Sequence, residues 1–279
     1  RIHRNLPIER LEGDREEGGM RVAHLVLGRG LDERVEVDHV VLSAGAVGSP
    51  AVLLRSEAHD GNWGRLPAFQ NDHVGTGLGF NYGSGVVARW KNESARPGHM
   101  GFQIKFVATK GGDPDFEIPI PGKPSHRARY VLENAFVPPG LMSNVVPGVG
   151  AGHRDWMTDY KKLAMCASTI GSPQTGVIRG DRTVEYKLNQ AEMDLNRDAL
   201  AGIARLYFAA GASEVGLGGI RQPPEGGAPE DATGQGLRLR AETHGDLTQN
   251  ELAAALQPIV FEPEHIMLSS AHPQGGLRM

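Results

Sequence analysis

Cysteine, aromatic residues and long apolar runs are all scarce in this sequence. Its one cysteine, Cys166, excludes an intrachain disulfide and any zinc or iron–sulfur site built on cysteine ligands. No apolar run approaches the ~18 residues that a transmembrane helix needs, which argues against a membrane span in this segment. The net charge is −4 and lysine and arginine form no cluster, so a nucleic-acid-binding surface is not expected.

Several common catalytic patterns are missing as well. The 11 histidines are spread along the chain, and none has the HxxxH or HxH spacing of a metal site, so we predict no metal. The sequence contains no phosphate-binding loop that ends in Gly-Lys-Ser/Thr and no G-x-G-x-x-G dinucleotide fingerprint. It also contains no G-x-S-x-G motif, so an α/β-hydrolase nucleophile is unsupported.

Glycine and proline, in contrast, are abundant. The 38 glycines and 18 prolines make up about a fifth of the 279 residues, against about 12% in ordinary proteins. A hydrophobic fraction of 39% is nevertheless far too high for a disordered chain. We therefore expect a folded, loop-rich protein with enough residues for one large or two ordinary domains.

The first part of the chain predicts a strand meander that leads into a helix. Val22–Leu27 has the apolar character of a strand. Val35–Leu42 alternates and becomes apolar on both faces at Val40–Leu42, as in a strand that enters a buried sheet. Small residues follow, after which Ser49 is a favourable N-cap and Pro50 a favourable first helical residue. The pattern indicates a strand, a tight turn and a helix, which together form an α/β unit.

From about Gly75 onward, short alternating stretches separated by prolines predict an antiparallel sheet with long connections. The predicted strands are Tyr82–Trp90, Gly101–Val107, Phe116–Ile120 and Thr183–Leu188. Cys166 lies in the apolar run Leu163–Ile170, and we expect it in the core rather than as a nucleophile.

Two helices are marked by their caps, and a polar surface loop is expected over residues 223–236. Asn189 can cap a helix that Gly211 ends. Thr248 and Glu251 form the capping-box pattern of a second helix. The predicted fold class is α+β, with an α/β piece at the start.

The turn at Gly45–Ser49 is the first candidate site. A helix that starts behind a turn of small residues presents unpaired N–H groups and a partial positive charge, which suit a phosphate or the edge of a flavin ring. A side chain in place of the glycines would hold such a ligand away. The alternative is a structural turn of the kind that every α/β protein contains.

The second candidate site is the segment SSAHPQGGLRM, from Ser269 to Met279. A histidine flanked by small residues and followed by proline and two glycines fits neither a helix nor a strand, but it can hold an imidazole over a ligand. Histidine is also the side chain best suited to accept a proton near neutral pH. The alternative for His272 is a histidine in a surface loop.

Together the two segments resemble the glucose–methanol–choline (GMC) family of flavin oxidoreductases. Residues 40–56, VVLSAGAVGSPAVLLRS, are similar to the family's internal signature, and residues 271–279, AHPQGGLRM, are similar to its C-terminal motif. The two segments stand in the family's order. Between them, Tyr186–Leu188 and the helix that ends in Phe208–Ala212 resemble the long-chain alcohol and sterol branches.

The resemblance implies a dinucleotide (FAD)-binding α/β domain with a β-meander, interleaved with a substrate domain built on an antiparallel sheet backed by helices. Residues 1–75 would be part of the FAD-binding domain, residues 76–261 the substrate domain, and residues 262–279 a return to the FAD domain with the active-site histidine. The cofactor-binding residues that it implies are Ala44, Gly45, Ala46, Gly48, Ser49, Pro50, Gly275 and Gly276.

The resemblance also implies a role for His272. In the family, the matching histidine takes or shares the hydroxyl proton of an alcohol while a hydride leaves carbon for flavin N5. The substrate would be a small-molecule alcohol, aliphatic or sterol-like as the resemblance to those branches implies. The low aromatic content of 6% also favours an aliphatic alcohol over a sugar. The electron acceptor would be oxygen or a redox partner. The single cysteine is compatible with the cytosol or the periplasm, and of the two we favour a soluble, cytoplasmic location.

The sequence departs from the family pattern in three places. Ser56 is followed by Glu57-Ala58-His59, where the family has Ser-Gly-x-Gly. The N-terminal G-x-G-x-x-G and the second catalytic histidine or asparagine would both lie outside this chain, which we interpret as part of a longer protein. Two alternatives therefore stay open: a flavin-containing lyase on the same fold, and a non-catalytic fragment or binding module that lacks the phosphate-binding loop.

Overall fold

A computed structural model describes most of the chain, and it combines helices with antiparallel sheets. The α+β class predicted from the sequence is therefore confirmed. The residues that the structure describes are 6–16, 19–28, 33–60, 63, 67–70, 73–92, 104–109, 117–120, 122–127, 130–135, 137–171, 173–217, 236–260, 265–270 and 272–277. Within these ranges, no helix combines the length and the apolar character that crossing a membrane would require.

The strands are β1 (Ile8–Glu16), β2 (Gly19–Leu27), β3 (Arg34–Glu36), β4 (Thr76–Phe80), β5 (Gly85–Arg89), β6 (Ile104–Thr109), β7 (Glu117–Ile120), β8 (Lys123–Arg127), β9 (Tyr130–Ala135), β10 (Leu163–Ile170), β11 (Gly176–Ile178), β12 (Val184–Glu185), β13 (Glu214–Leu217), β14 (Leu237–Arg240) and β15 (Pro273–Gln274). The α-helices are α1 (Gly45–Asp60), α2 (Pro67–Gln70), α3 (Pro139–Met142), α4 (Ala151–Thr158), α5 (Gln190–Ala209), α6 (Ala241–His244) and α7 (Gln249–Ala255). The predicted loop at 223–236 lies outside the described residues except for its last residue.

The chain divides into two compact units. The first unit contains Arg1–Phe80, Pro173–Lys187 and His272–Met279, and the second contains Asn81–Ser172 and Leu188–Ala271. The first candidate site and the His272–Met279 part of the second therefore belong to the first unit, whereas Ser269–Ala271 belong to the second. The interpretation of the units as FAD-binding and substrate domains stays a prediction.

In the first unit, helix α1 packs between two antiparallel sheets. One sheet is the predicted meander, with the order β1-β2-β3, and the other has the order β12-β11-β4-β15. Adjacent residues of α1 face different cores, since Val52 packs with Leu11 of β1 and Ala51 packs with Leu78 and Ile178 of the second sheet. The buried Ser56 hydroxyl fixes α1 to β1, because it accepts a hydrogen bond from the Leu11 N–H at 2.8 Å.

The strand predicted over Val35–Leu42 forms only at its start, in β3, and the prediction is wrong for its apolar end at Val40–Leu42. No strand is assigned between residues 37 and 43, and the Val41 side chain is 87% exposed. An apolar run of this kind forms a buried strand only when neighbouring strands supply hydrogen bonds and cover both faces. Among the described residues, the meander ends at β3, and no further strand continues the sheet beyond it.

The second unit is built on a six-stranded antiparallel sheet with the order β14-β13-β5-β10-β9-β6. Helix α5 packs on one face of this sheet, where the Ser168 hydroxyl of β10 donates to Asn196 Oδ1 at 3.2 Å. Cys166 is buried on β10, and burial raises the pKa of its thiol to about 12. The burial of Cys166 confirms its prediction as a core residue. A thiol with this pKa stays protonated at neutral pH, so it is a poor nucleophile.

Both predicted helix caps are confirmed. Asn189 and Glu192 form a reciprocal capping box at the start of α5, and Thr248 and Glu251 form one at the start of α7. Gly211 follows the end of α5 with φ of +83°, the left-handed conformation that commonly ends helices. These features depend on residues within one turn of the helix end, which explains why the sequence alone predicted them.

Glu12 is expected to give the meander a pH-dependent stability. Its carboxylate accepts hydrogen bonds from Arg34 Nε and Arg10 Nη2, each at 2.8 Å. The Arg34 bond is the main reason that the Glu12 pKa falls to about 2 from its ordinary 4.5. Because the folded-state pKa is depressed, the stabilisation is present above pH 4.5 and is lost as the pH falls toward 2.

Urea denaturation of the native protein and of Glu12→Gln at a series of pH values checks this prediction. We expect the variant to be less stable than the native protein at neutral pH and the difference to shrink between pH 4.5 and 2. A stability difference that stays constant across this window would contradict it.

Candidate functional site

The two sequence motifs lie against each other in the first unit. Strand β15, which follows His272, pairs antiparallel with β4 through Pro273 and Phe80. The Gly75 N–H then donates to the Gly276 carbonyl at 2.8 Å. This pairing brings the C-terminal motif beside the start of α1, where the internal motif lies.

Gly275 and Gly276 are required by close backbone packing. Their φ angles are +84° and +79°, in the left-handed region that L side chains rarely adopt. A Cβ at Gly275 would lie 2.1 Å from the Gly77 carbonyl oxygen, and a Cβ at Gly276 would lie 2.5 Å from the Ala46 carbonyl oxygen. The described structure therefore gives both glycines a packing role, and their predicted contact with the cofactor stays a prediction.

The predicted helix start at Ser49 and Pro50 is wrong, since α1 already begins at Gly45. Pro50 has no N–H, so the Ala46 carbonyl lacks the usual helical donor four residues on. Gly276 packs at this point, where an added Cβ would meet both Ala46 and Pro50. The sequence favoured a later start because proline is most common in the first helical turn. The position of Pro50 inside α1, and its contact with Gly276, are visible only in the structure.

Ser49 stabilises the turn before the helix rather than capping it from outside. Its side chain is buried, with 6% of the residue exposed. The Ala44 N–H donates to Ser49 Oγ at 3.0 Å. This bond fixes the backbone at Ala44, the residue that precedes α1.

Gly45 is the position at which the turn is open to its surroundings. Its φ is +75°, and a Cβ built there would have no heavy atom within 4 Å. Helix α1 has 16 residues, so its first turn presents amides with the partial positive charge of a full helix. The predicted contact with a ligand requires open space at this position, and a side chain in place of Gly45 would project into that space.

A cavity of about 560 Å³ opens beside the same turn. Ala44 and Gly48 are the predicted cofactor residues that line it, and Arg182 is the cation in its wall. The other lining residues are Pro7, Ile8, Leu11, Leu25, His39, Val40, Val41, Leu42, Ser43, Val47 and Val52. A largely apolar wall with a few polar groups, at this volume, is typical of cofactor and small-molecule sites.

These residues fit one part of FAD rather than the whole cofactor. The cavity wall is largely apolar and suits a ring system, the amides at the start of α1 suit a phosphate or carbonyl oxygen, and Arg182 supplies a positive charge. The remaining predicted residues are not among those that line the cavity: Gly45, Ala46, Ser49, Pro50, Gly275 and Gly276.

His272 is exposed and lies directly before β15. The residue before a proline is restricted to extended conformations, so Pro273 limits the backbone of His272. Pairing of Pro273 with Phe80 of β4 then fixes the position of this backbone within the first unit. Ala271, Arg278 and Met279 of the same motif lie outside the described residues.

Sequence reasoning missed two features of this region. It did not identify Pro173–Lys187 as part of the first unit, because the pairing of β11 with β4 joins segments far apart in the chain. It also did not identify Arg182 or His39 as cavity residues. The hairpin sequence Arg179-Gly180-Asp181-Arg182-Thr183 carries no ligand-binding pattern.

In the ranges that the structure describes, no group of three or more His, Cys, Asp or Glu could hold a metal ion.

No family model matches the chain. Two proteins from strains of Mycobacterium tuberculosis, both described as uncharacterized GMC-type oxidoreductases, are each 35% identical to it over 103 residues. The matched stretch covers 36% of this chain and 16% of the length of each relative, so the similarity concerns a small part of those proteins. This similarity supports the GMC family for the chain and does not distinguish a branch within it.

Proposed function

We propose that this chain is part of an FAD-dependent oxidoreductase that oxidises the CH–OH group of an alcohol, with His272 as the base. The observation that carries the proposal is the meeting of the two motifs, which places Gly276 against Ala46 of α1 and holds His272 in the same unit. The similarity to proteins described as GMC-type oxidoreductases supports it.

An alcohol becomes a carbonyl compound when it loses a hydride from carbon and a proton from oxygen. FAD supplies the hydride acceptor when it is bound. The imidazole of His272 accepts the hydroxyl proton, which gives the alcohol oxygen alkoxide character and lowers the barrier for hydride loss from the adjacent carbon. A positioned base of this kind contributes about 10²–10⁴-fold to a rate.

The other residues of the site position these groups. The pairing of β15 with β4 restricts where the His272 backbone can lie. The left-handed Gly275 and Gly276 allow the chain to turn against Gly77 and Ala46 without a side chain between them. The cavity beside Ala44 and Gly48 offers a largely apolar wall to one part of the cofactor.

Anaerobic mixing of the native full-length protein with primary and secondary alcohols tests this proposal. We expect the protein to carry oxidised flavin and an aliphatic or sterol-like alcohol to bleach its absorbance near 450 nm. Readmission of oxygen, or of an artificial acceptor in its absence, then separates an oxidase from a dehydrogenase. A protein without flavin would contradict the proposal, and a flavin that no alcohol reduces would favour the lyase alternative.

A further inference from the structure

Arg182 lies in the hairpin loop between β11 and β12. The loop is closed by the Arg179 N–H, which donates to the Thr183 carbonyl at 2.9 Å, and by the Arg182 N–H, which donates to the Arg179 carbonyl at 2.9 Å. Arg182 has a φ of +72°, in the left-handed region. Glycine or asparagine is the usual residue at this position of a three-residue hairpin loop, so arginine is an unfavourable choice for the fold alone.

The two arginines of this hairpin have different surroundings. Arg179 makes a two-point pair with Glu185, with distances of 2.9 and 3.0 Å. Arg182 has no side-chain hydrogen bond or ion pair with any residue that the structure describes, and it lines the cavity beside Ala44 and Gly48. The hairpin therefore has one arginine held by the protein and one that is available to a ligand.

A second guanidinium, that of Arg55, lies near Arg182. Arg55 of α1 is near enough for their positive charges to repel, and this repulsion adds to the burial that mainly lowers the Arg55 pKa. Arg55 is itself engaged, since its Nε lies 3.1 Å from Glu9 and its Nη1 donates to the Gly180 carbonyl at 2.7 Å. Of these two guanidinium groups, only that of Arg182 makes no hydrogen bond or ion pair with the residues that the structure describes.

We propose that Arg182 binds a phosphate oxygen of the FAD pyrophosphate and thereby helps to hold the cofactor at the cavity beside α1. This inference rests on the proposed function. A planar guanidinium matches phosphate oxygens with two parallel hydrogen bonds, which a neutral flavin ring does not offer. The apolar remainder of the cavity wall accepts an uncharged ring of the same cofactor.

Flavin titration of the native full-length protein, stripped of its cofactor, tests this inference without measuring turnover. Arg182→Gln is expected to weaken FAD binding by about 10–100-fold, the effect of losing hydrogen bonds to a charged group. Binding of riboflavin, which has no phosphate, should change little. The salt dependence of FAD binding should also decrease, since one fewer cation contacts the phosphates.

Arg179→Gln is the matched control, because it removes an arginine of the same hairpin that is already paired with Glu185. Its FAD affinity should equal that of the native protein. Arg182→Gly provides a second readout, since it relieves the left-handed strain. We expect this variant to melt at a higher temperature than the native apoprotein while it binds FAD more weakly.

The outcomes separate the two proposals. If the native protein binds FAD and Arg182→Gln binds it equally well, the inference about Arg182 is wrong and the proposed function stands. If Arg182→Gln weakens riboflavin and FAD binding to the same extent, the phosphate contact is wrong. If the native protein binds neither FAD nor ADP, both the proposed function and this inference are overturned.

Discussion

Replacement of His272 by alanine is expected to leave flavin bound and to lower alcohol turnover by about 10²–10⁴-fold, the contribution of a positioned general base. The expectation follows from the proposed role of His272 as acceptor of the hydroxyl proton. His272 is exposed and lies outside the buried cores, so its loss should disturb the fold little. Stopped-flow flavin reduction under anaerobic conditions measures the affected step directly.

His244→Ala is a suitable control for His272→Ala. His244 lies at the end of α6 in the second unit, where its Nδ1 contacts Thr243 Oγ1 at 2.5 Å. We expect this variant to keep both its flavin spectrum and its turnover. If His272→Ala also kept its rate of flavin reduction, the assignment of His272 as the base would be wrong. If His272→Ala lost its flavin, we would assign His272 a role in cofactor binding instead of the role of base.

Replacement of Gly276 by alanine is expected to destabilise the protein by about 2–5 kcal/mol. An L residue in the left-handed region costs about 1–2 kcal/mol, and overpacking of a close contact adds about 1–3 kcal/mol. The new Cβ would lie 2.5 Å from the Ala46 carbonyl oxygen and 2.6 Å from Ile178 Cδ1. Because one of these atoms is backbone, α1 or the C-terminal segment has to shift.

Gly211→Ala separates the two causes. Gly211 also has a left-handed φ, of +83°, but a Cβ there would have no heavy atom within 4 Å. Its substitution should therefore cost only the conformational part, about 1–2 kcal/mol. Denaturant unfolding of both variants gives the comparison. Equal losses for Gly276→Ala and Gly211→Ala would show that the contact with Ala46 does not exist in solution.

The sequence by itself determined the features that depend on neighbouring residues. The capping boxes at Asn189 and Thr248 and the helix end at Gly211 were predicted because each involves hydrogen bonds or backbone preferences within a single turn. The burial of Cys166 followed from its apolar run. The two motifs were also visible as sequence patterns, and their similarity to GMC-type proteins is independent of any coordinates.

Only the tertiary structure decided the features that depend on distant segments. Val40–Leu42 has the pattern of a buried strand, but in the described structure no neighbouring strand pairs with it, and local preference cannot replace that partner. Helix α1 begins before Pro50, and Gly276, which is distant in sequence, packs against the carbonyl that proline leaves without a donor. The pairing of β11 with β4 places the hairpin so that Arg182 lines the cavity. Contacts between distant segments depend on residues outside the local sequence of either segment, so the local pattern could not predict them.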